Sequence, residues 1–266
     1  MKKLYLLLLL TVSVFVGCGR EPIPEPVPEP PITPTDTTGT TPSSVESFEA
    51  RLLHTAEGDL PYRMGYFNPD CLTGKPALVL YMHSANGRGS DNISQLRQQK
   101  AVDSIYNYLV ANRMHAIFLV PQCPSDKYWA GNQEYPAYIN PVKELLQFYA
   151  DSTDTHHVFV FGVSMGGAGT WRLLNELPNT FAAAFVASGT YHDNDPAVLA
   201  STPLYCTIGS NEEEWRINNL QSLTNHIQQN GGEVMFDILP DLNHPQTCEQ
   251  SFTAERIGWV FGHERR

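Results

Sequence analysis

Long apolar runs alternate with segments of helical spacing from about residue 48 to the C-terminus. Runs that are apolar almost throughout predict parallel strands buried on both faces, and they lie at 77–84, 115–122, 156–164, 181–189, 203–210 and 233–240. Apolar residues at helical spacing predict helices at 93–113, 140–152, 167–178 and 217–232. Residues 48–56 and 61–69 predict an antiparallel pair that comes first. The alternation predicts the α/β class, with a mostly parallel sheet and helices on both faces.

The N-terminus follows a different pattern. Two lysines precede an apolar run over residues 4–16, which is shorter than the ~20 residues that span a bilayer, and Gly17 and Cys18 follow. This order is typical of a secretory signal. The letters VFVGC resemble a bacterial lipobox, which implies a lipoprotein signal peptide at 1–17 and a lipid anchor on Cys18 in the cell envelope. An ordinary signal peptide with an incidental cysteine is the alternative.

Residues 18–47 show no apolar periodicity and are rich in proline and threonine. Such a segment cannot bury enough apolar surface to fold, and its prolines favour extended polyproline II. We therefore expect a linker that follows the lipidated cysteine, then one folded domain at 48–266. A disordered leader without a role is the alternative.

Composition narrows the class of function. The net charge of -11 and the lack of a basic stripe argue against a nucleic-acid partner, and 42% hydrophobic residues suit a globular core. The cysteines after the lipobox are Cys71, Cys123, Cys206 and Cys248, and their spacing matches no metal motif. An envelope location permits disulfides, and the sequence fits either one or two bridges or four buried free thiols.

Polar residues directly after predicted strands are the candidates for chemistry, because ligands bind at the carboxyl edge of such sheets. The letters GVSMG at 162–166 form a G-x-S-x-G between a predicted strand and a predicted helix. The glycines allow strand and helix to approach, and the serine Oγ is then exposed at the helix N-terminus. We expect Ser164 to be a nucleophile.

A serine hydroxyl needs a general base, and the base needs an acid that orients it. His244 follows the last predicted strand, which is where the base is expected. The acid is expected after the strand at 203–210, where Glu212, Glu213 and Glu214 all stand. A histidine in a surface loop and a solvated acidic turn are the alternatives.

An oxyanion hole is expected from two backbone N–H groups. One belongs to Met165, next to the serine, and the other to Ser84 or Ala85 in the loop after the strand at 77–84. That loop, HSANGRGSDN, is small and glycine-rich, so its amides can turn inward. His83 suits the shaping of this loop better than the role of base.

Five stretches together resemble a known family: LPYRMGYFNP, ALVLYMHSANGRGSDN, FLVPQCPSDKYW, VFGVSMGGAGTW and GGEVMFDILPDLNH. They are similar to the secreted serine esterases of carbohydrate esterase family 1. They also resemble bacterial α/β-hydrolases labelled predicted peptidase or phospholipase/carboxylesterase-like. The resemblance covers nearly everything from residue 48 onward and implies the α/β-hydrolase fold. It implies that Ser164 is the nucleophile, His244 the base and Glu212 the acid.

The chain departs from this family at two positions, where Ser84 replaces a glycine of the oxyanion loop and Glu212 replaces an aspartate. The segment at 121–129 resembles a family loop that lines the mouth of the site, and we expect Trp129 from this segment to bind substrate. We also expect His83 to bind substrate. Tyr128, Trp171 and Trp215 are further aromatic candidates for stacking on a sugar or an aromatic acyl group, and most tryptophans in such folds belong to the core.

The resemblance implies a serine esterase that needs no metal or organic cofactor. Its expected substrates are acetyl or hydroxycinnamoyl (feruloyl-type) esters on plant polysaccharides, or small acyl esters. Three alternatives remain: a peptidase of the same fold, a lipase or phospholipase, and a non-catalytic glycan-binding lipoprotein. No long apolar lid segment is visible between the strands, which argues against the lipase. The sequence makes no prediction about oligomeric state.

Overall fold

The computed structural model describes residues 41–68, 74–97 and 100–265. The predicted signal peptide, the lipidated Cys18, most of the predicted linker and Cys71 lie outside the described residues. Within these three ranges, no helix combines the length and the apolar character that crossing a membrane requires.

Eight strands within the described residues form one sheet. They are β1 (Glu49–Thr55), β2 (Gly58–Phe67), β3 (Ala77–Met82), β4 (Ala116–Pro121), β5 (Val158–Val163), β6 (Ala183–Ala187), β7 (Leu204–Gly209) and β8 (Val234–Leu239). Their order in space is β1-β2-β4-β3-β5-β6-β7-β8. β2 is antiparallel to both of its neighbours, and every other pair is parallel. The predicted α/β class is confirmed.

The described helices are α1 (Ser94–Arg97), α2 (Ala101–Ala111), α3 (Asn140–Ala150), α4 (Met165–Glu176), α5 (Pro196–Leu199), α6 (Glu214–Gln229), α7 (His244–Gln250) and α8 (Ala254–Phe261). Apolar residues of α3, α4 and α6 belong to one core, and those of α2 and α8 belong to a second core. The two cores lie on opposite faces of the sheet, because side chains alternate along each strand. On β3, Leu78, Leu80 and Met82 join the first core, while Val79 and Tyr81 join the second.

In the region of the helix predicted at 93–113, the described residues form α1 and α2, and Lys100 precedes α2 as a turn residue. Buried apolar residues at helical spacing occur in both, with Leu96 in α1 and Ala101, Ile105 and Leu109 in α2. α1 is held separately, because the Asp91 carboxylate accepts hydrogen bonds from the first backbone N–H groups of its turn.

Burial explains why the strand predictions succeeded. Every residue of β3, β4, β5, β6 and β7 is buried, so these strands are apolar on both faces. Cys123, Cys206 and Cys248 are buried free thiols, so these three described cysteines form no disulfide with one another. Packing also begins slightly earlier than the predicted boundary at residue 48, since Val45 is buried in the second core.

Candidate active site

Ser164 occupies a sharp turn between β5 and α4. Its backbone has φ 53° and ψ -114°, a conformation that residues with a side chain rarely adopt. The flanking glycines explain why the turn can close: a Cβ at Gly166 would overlap the carbonyl of Met82, and one at Gly162 would overlap the Thr170 hydroxyl. The close approach leaves the Ser164 side chain at the carboxyl edge of the sheet, at the start of a helix.

A continuous chain of hydrogen bonds leads away from Ser164. Its Oγ lies 2.8 Å from His244 Nε2, and His244 Nδ1 lies 2.9 Å from Glu212 Oε2. The Glu212 side chain is fully buried, whereas that of Glu213 is 69% exposed. Of the three neighbouring glutamates, the structure therefore brings Glu212 to the histidine, while Glu213 and Glu214 are exposed.

His244 is held in place by a helix that the sequence analysis did not predict. It is the first residue of α7, and Asn243 caps this helix by accepting a hydrogen bond from the backbone N–H of Gln246. The Gln246 side chain accepts one in return from the Asn243 N–H, which completes a capping box. The letters NHPQ, with an N-cap residue, a first-turn proline and a glutamine three residues after the cap, carry this signal.

Glu212 is ionised by its surroundings. Burial alone raises the pKa of this carboxyl, but hydrogen bonds from His244, from the Ser188 hydroxyl and from the Gly209 backbone N–H outweigh burial and lower the pKa to about 2. The Arg216 guanidinium adds a contact, with its Nε 3.1 Å from Glu212 Oε2. A negative charge therefore faces the Nδ1 side of the imidazole at neutral pH, where it can stabilise a positive ring.

Ser188 and Arg216 are two members of this network that the sequence analysis missed. Ser188 follows β6, and its Oγ lies 2.6 Å from both carboxylate oxygens of Glu212 and 2.6 Å from His244 Nδ1. Arg216 Nη2 donates to the Ser188 carbonyl at 2.6 Å. The signal for Ser188 is the one that found Ser164, a polar residue directly after a buried strand. Arg216 lies in the first turn of α6, and its only sequence signal is a cation four residues after Glu212.

The loop expected to supply an oxyanion hole lies against the N-terminus of α4. Gly166 approaches the backbone carbonyls of both Met82 and His83. The predicted donors Ser84 and Ala85 are the next two residues of the chain after that contact. Ser84 has φ -71° and ψ 173°, an extended conformation open to any residue. Serine in place of the family's glycine therefore imposes no backbone strain here. Met165 is the first residue of α4.

His83 and Trp129, predicted to bind substrate, both have fully buried side chains. His83 Nδ1–H donates to the Ser84 carbonyl at 2.6 Å, and its Nε2 accepts from the Cys123 N–H at 3.0 Å. Trp129 Nε1–H donates to the His83 carbonyl at 3.1 Å. Burial lowers the pKa of His83 to about 4, which keeps the ring neutral. Neither side chain offers a face to a substrate, because both support the oxyanion loop from within.

The other aromatic candidates differ in exposure. Trp171 is fully buried and donates its Nε1–H to the Gly189 carbonyl, so it is a core residue. Trp215 is 59% exposed at the start of α6, and the Arg216 guanidinium lies 5.5 Å from the centre of its ring. Tyr128 is half-buried and stacks on Tyr135 at 5.8 Å.

A cleft of about 690 Å³ lies against α4, and its lining includes Ala168, which follows Ser164 by four residues on that helix. Ser164 and Ala168 are both partly exposed, whereas the residues between them are buried. The cleft has polar and aromatic walls, formed by the loop at 128–137, by α4 and by the loop at 190–193. Its lining includes Ala168, Tyr128, Tyr135, Tyr191, Asn132 and Arg172. Arg88 packs over the rings of the two stacked tyrosines and fixes that wall.

No group of three or more His, Cys, Asp or Glu side chains arranged to hold a metal ion occurs in the part of the chain that the structure describes. The site presents hydroxyl, imidazole, carboxylate and backbone N–H groups. An activated hydroxyl beside such groups is suited to acyl transfer.

No protein-family model matches this chain, and no curated protein matches it in sequence. Solved structures do resemble it. A thermostable esterase superposes with a TM-score of 0.74 and 23% identity over 83% of this chain. The match covers 64% of the esterase, so this chain spans less than two thirds of its length. The chain has the α/β-hydrolase fold.

Two further α/β-hydrolase structures share the fold across almost their full length. The S-formylglutathione hydrolase of Staphylococcus aureus has a TM-score of 0.60 and 16% identity, over 80% of this chain and 98% of the other. A mutant feruloyl esterase module from Clostridium thermocellum, complexed with sinapinate, has a TM-score of 0.57 and 15% identity, over 81% of this chain and 88% of the other. The predicted α/β-hydrolase fold is confirmed.

The low pKa of Glu212 predicts a pH-dependent contribution to stability. Because the pKa is about 2 in the folded protein against an ordinary 4.5, the contribution is complete above pH 4.5 and is lost as pH falls towards 2. We expect Glu212→Gln to lower the Tm most at pH 6, and the difference from wild type to shrink between pH 4.5 and pH 3. Calorimetry across this range measures it.

Glu213→Gln is the matched control for this prediction, because that neighbouring side chain is mostly exposed. Its Tm difference from wild type should be small and flat with pH. A Glu212→Gln difference that stays constant from pH 6 to pH 3 would contradict an ionised, stabilising carboxylate.

Proposed function

We propose that this protein is a serine esterase that hydrolyses acyl esters through a Ser164–His244–Glu212 triad. The observation that carries the proposal is the unbroken chain of hydrogen bonds from Ser164 Oγ through the imidazole to a buried carboxylate. The chain lies at the carboxyl edge of a sheet whose structural neighbours include esterases and an S-formylglutathione hydrolase.

In the first half-reaction Ser164 Oγ attacks the ester carbonyl carbon, and His244 Nε2 takes the hydroxyl proton. The carbonyl electron pair moves onto oxygen, where the N–H groups of Met165 and of Ala85 or Ser84 stabilise it. When the tetrahedral intermediate collapses, the bond to the alkoxy group breaks and His244 returns the proton to the leaving oxygen. The product alcohol departs and an acyl-serine remains.

The second half-reaction repeats these steps with water. His244 Nε2 accepts a proton from the attacking water, the acyl-serine bond breaks, and Ser164 recovers its proton as the acid leaves. Throughout, the Nδ1 proton stays on the ring, because the ionised Glu212 stabilises the imidazolium that forms in each step.

The proposed substrates are acetyl or feruloyl esters on plant polysaccharide. One structural neighbour is a feruloyl esterase module and another is a ferulic acid esterase, which supports an aromatic acyl group. The cleft along α4, lined by Ala168 four residues after Ser164, also combines tyrosine rings with amide and charged side chains. Such a lining suits an amphipathic group such as a sugar or a phenolic acid better than a long lipid chain.

The proposed location is the bacterial cell envelope, with a lipid anchor on Cys18. The support is in the sequence alone, where a signal-like run ends in VFVGC and a proline-rich segment follows. A single acyl chain binds membranes only marginally, and the diacylated cysteine of a lipobox supplies two chains.

Activity on a small panel of substrates tests the proposed reaction. We expect Ser164→Ala to abolish hydrolysis of 4-nitrophenyl acetate, methyl ferulate and acetylated xylan, with kcat/KM falling about 10⁴-fold or more. Glu212→Gln should lower it about 10²- to 10⁴-fold. Initial rates of purified wild type and variants provide the measurement.

Two variants serve as controls for the panel. Ser201→Ala changes an exposed serine before β7, and Glu213→Gln changes the exposed neighbour of Glu212, so both should retain wild-type rates. Turnover of a peptide amide but of no ester would identify a peptidase. A folded wild type that turns over none of these substrates would leave glycan binding as the remaining function.

Substitutions of Tyr135 in the aromatic wall test whether the cleft binds substrate. Tyr135→Ala should raise KM for acetylated xylan or methyl ferulate about 10-fold and leave 4-nitrophenyl acetate unchanged, because only the larger substrates reach the stacked tyrosines. Tyr135→Phe keeps the ring and should behave close to wild type. Equal effects of Tyr135→Ala on all three substrates would show that the wall supports the fold and contacts no substrate.

The anchor is tested by fractionation of cells that express the full chain. Wild type should partition with membranes and detergent, and Cys18→Ser should appear in the soluble fraction because the acylated thiol is lost. Metabolic labelling with a fatty-acid analogue measures acylation directly. Equal partitioning of both proteins, with no label incorporated, would contradict the proposed lipid anchor and favour an ordinary signal peptide.

A further inference from the structure

Ser188 lies where it can act on the imidazole as well as on the carboxylate. It is fully buried, and its Oγ is 2.6 Å from His244 Nδ1 while that nitrogen is 2.9 Å from Glu212 Oε2. The hydroxyl is therefore closer to the ring nitrogen than the carboxylate is. The Ser188 hydroxyl therefore helps to hold the imidazole in place.

The protons in this cluster can be assigned from the ionisation of Glu212. With a pKa of about 2 the carboxylate is only an acceptor at neutral pH. Ser188 has one hydroxyl proton, and it donates that proton to Glu212. Its lone pair then faces His244 Nδ1, so the Nδ1–H is shared between the Ser188 Oγ and Glu212 Oε2. The assignment holds for neutral and protonated imidazole alike, because Nδ1 carries its proton in both.

The backbone at Ser188 is constrained from several sides. Its φ is 53°, a left-handed value that is costly for a residue with a side chain. Its N–H donates to the Thr207 carbonyl at 2.8 Å, and its carbonyl accepts from Arg216. The preceding carbonyl, of Ala187, accepts the Ser164 N–H at 2.9 Å. These contacts connect the ends of β5, β6 and β7 and fix the direction of the hydroxyl.

We propose that Ser188 is a positioning residue of the esterase site. Its hydroxyl bridges Glu212 and His244, since it donates a hydrogen bond to the carboxylate and accepts one from the Nδ1–H of the imidazole. Donation to an ionised carboxylate polarises the hydroxyl and makes its oxygen a better acceptor. The bridge therefore stabilises the imidazolium that forms when His244 takes the Ser164 proton, and it fixes the ring orientation. This inference rests on the proposed function, and Ser188 itself contacts no substrate.

Two variants separate the hydroxyl from the backbone. Ser188→Ala removes the hydroxyl and keeps the Cβ, while Ser188→Gly removes the hydroxyl and relieves the positive φ. We expect both to lower kcat for 4-nitrophenyl acetate about 10- to 100-fold, the effect of losing one hydrogen bond to a charged group. KM should stay within about twofold, since a fully buried residue does not bind substrate. Tm should be higher for Ser188→Gly than for Ser188→Ala.

A structural role alone predicts a different pattern, in which activity follows Tm and Ser188→Gly is the more active variant. Wild-type kcat in either folded variant would overturn the proposal. Ser201→Ala, an exposed serine outside the network, is the control and should match wild type.

Proton NMR tests the bridge without turnover, and so separates its failure from failure of the proposed function. The His244 Nδ1–H should give a far-downfield resonance in wild type that His244→Gln abolishes. In Ser188→Ala and Ser188→Gly that resonance should move upfield, because one of its two acceptors is gone. An unmoved resonance in a folded Ser188 variant would overturn the bridge, whatever the protein hydrolyses.

Discussion

The close approach of α4 to the ends of β3 and β5 is the constraint on which the site depends. No side chain fits at Gly166, where the helix backbone meets the carbonyls of Met82 and His83. This contact forces Ser164 into its unfavourable backbone conformation and brings the following helix N–H groups beside the loop after β3. One backbone contact therefore positions both the proposed nucleophile and the expected oxyanion donors. Hydrogen bonds from the His83 and Trp129 side chains hold the loop in place.

A buried negative charge is the second organising element. Glu212 has no solvent contact through its side chain, and an unpaired carboxylate there would be strongly destabilising. Ser188, Gly209, Arg216 and His244 together satisfy it. The same contacts that make burial tolerable also orient the imidazole, so structural and functional demands on these residues coincide. Arg216 Nη2 lies only 3.4 Å from His244 Nδ1, and the Glu212 carboxylate, which contacts both side chains, offsets the guanidinium charge there.

Much of this architecture could be predicted from the sequence. Continuous apolar runs located β3 to β7, and the rule that chemistry follows strand ends located Ser164 and His244. The choice of Glu212 over its neighbours came only from the family resemblance, because three adjacent glutamates look alike without knowledge of which one faces inward. The prediction that His83 and Trp129 bind substrate is not supported, because both side chains are buried. Closeness to the site along the chain does not reveal on which side of the loop a ring lies. Ser188 depends on a left-handed backbone and on contacts across three strands, which a single sequence does not display.

The site is spread widely along the chain. Ser164 and His244 are 80 residues apart, and Ser188 and Glu212 lie between them at the ends of different strands. The histidine follows β8, at the edge of the sheet, so its meeting with Ser164 requires that β5, β6, β7 and β8 have all paired in register. Parallel pairings of this kind close long loops and form slowly. Recovery of hydrolysis after dilution from denaturant therefore reports completion of half the sheet, a later event than the return of helical circular dichroism.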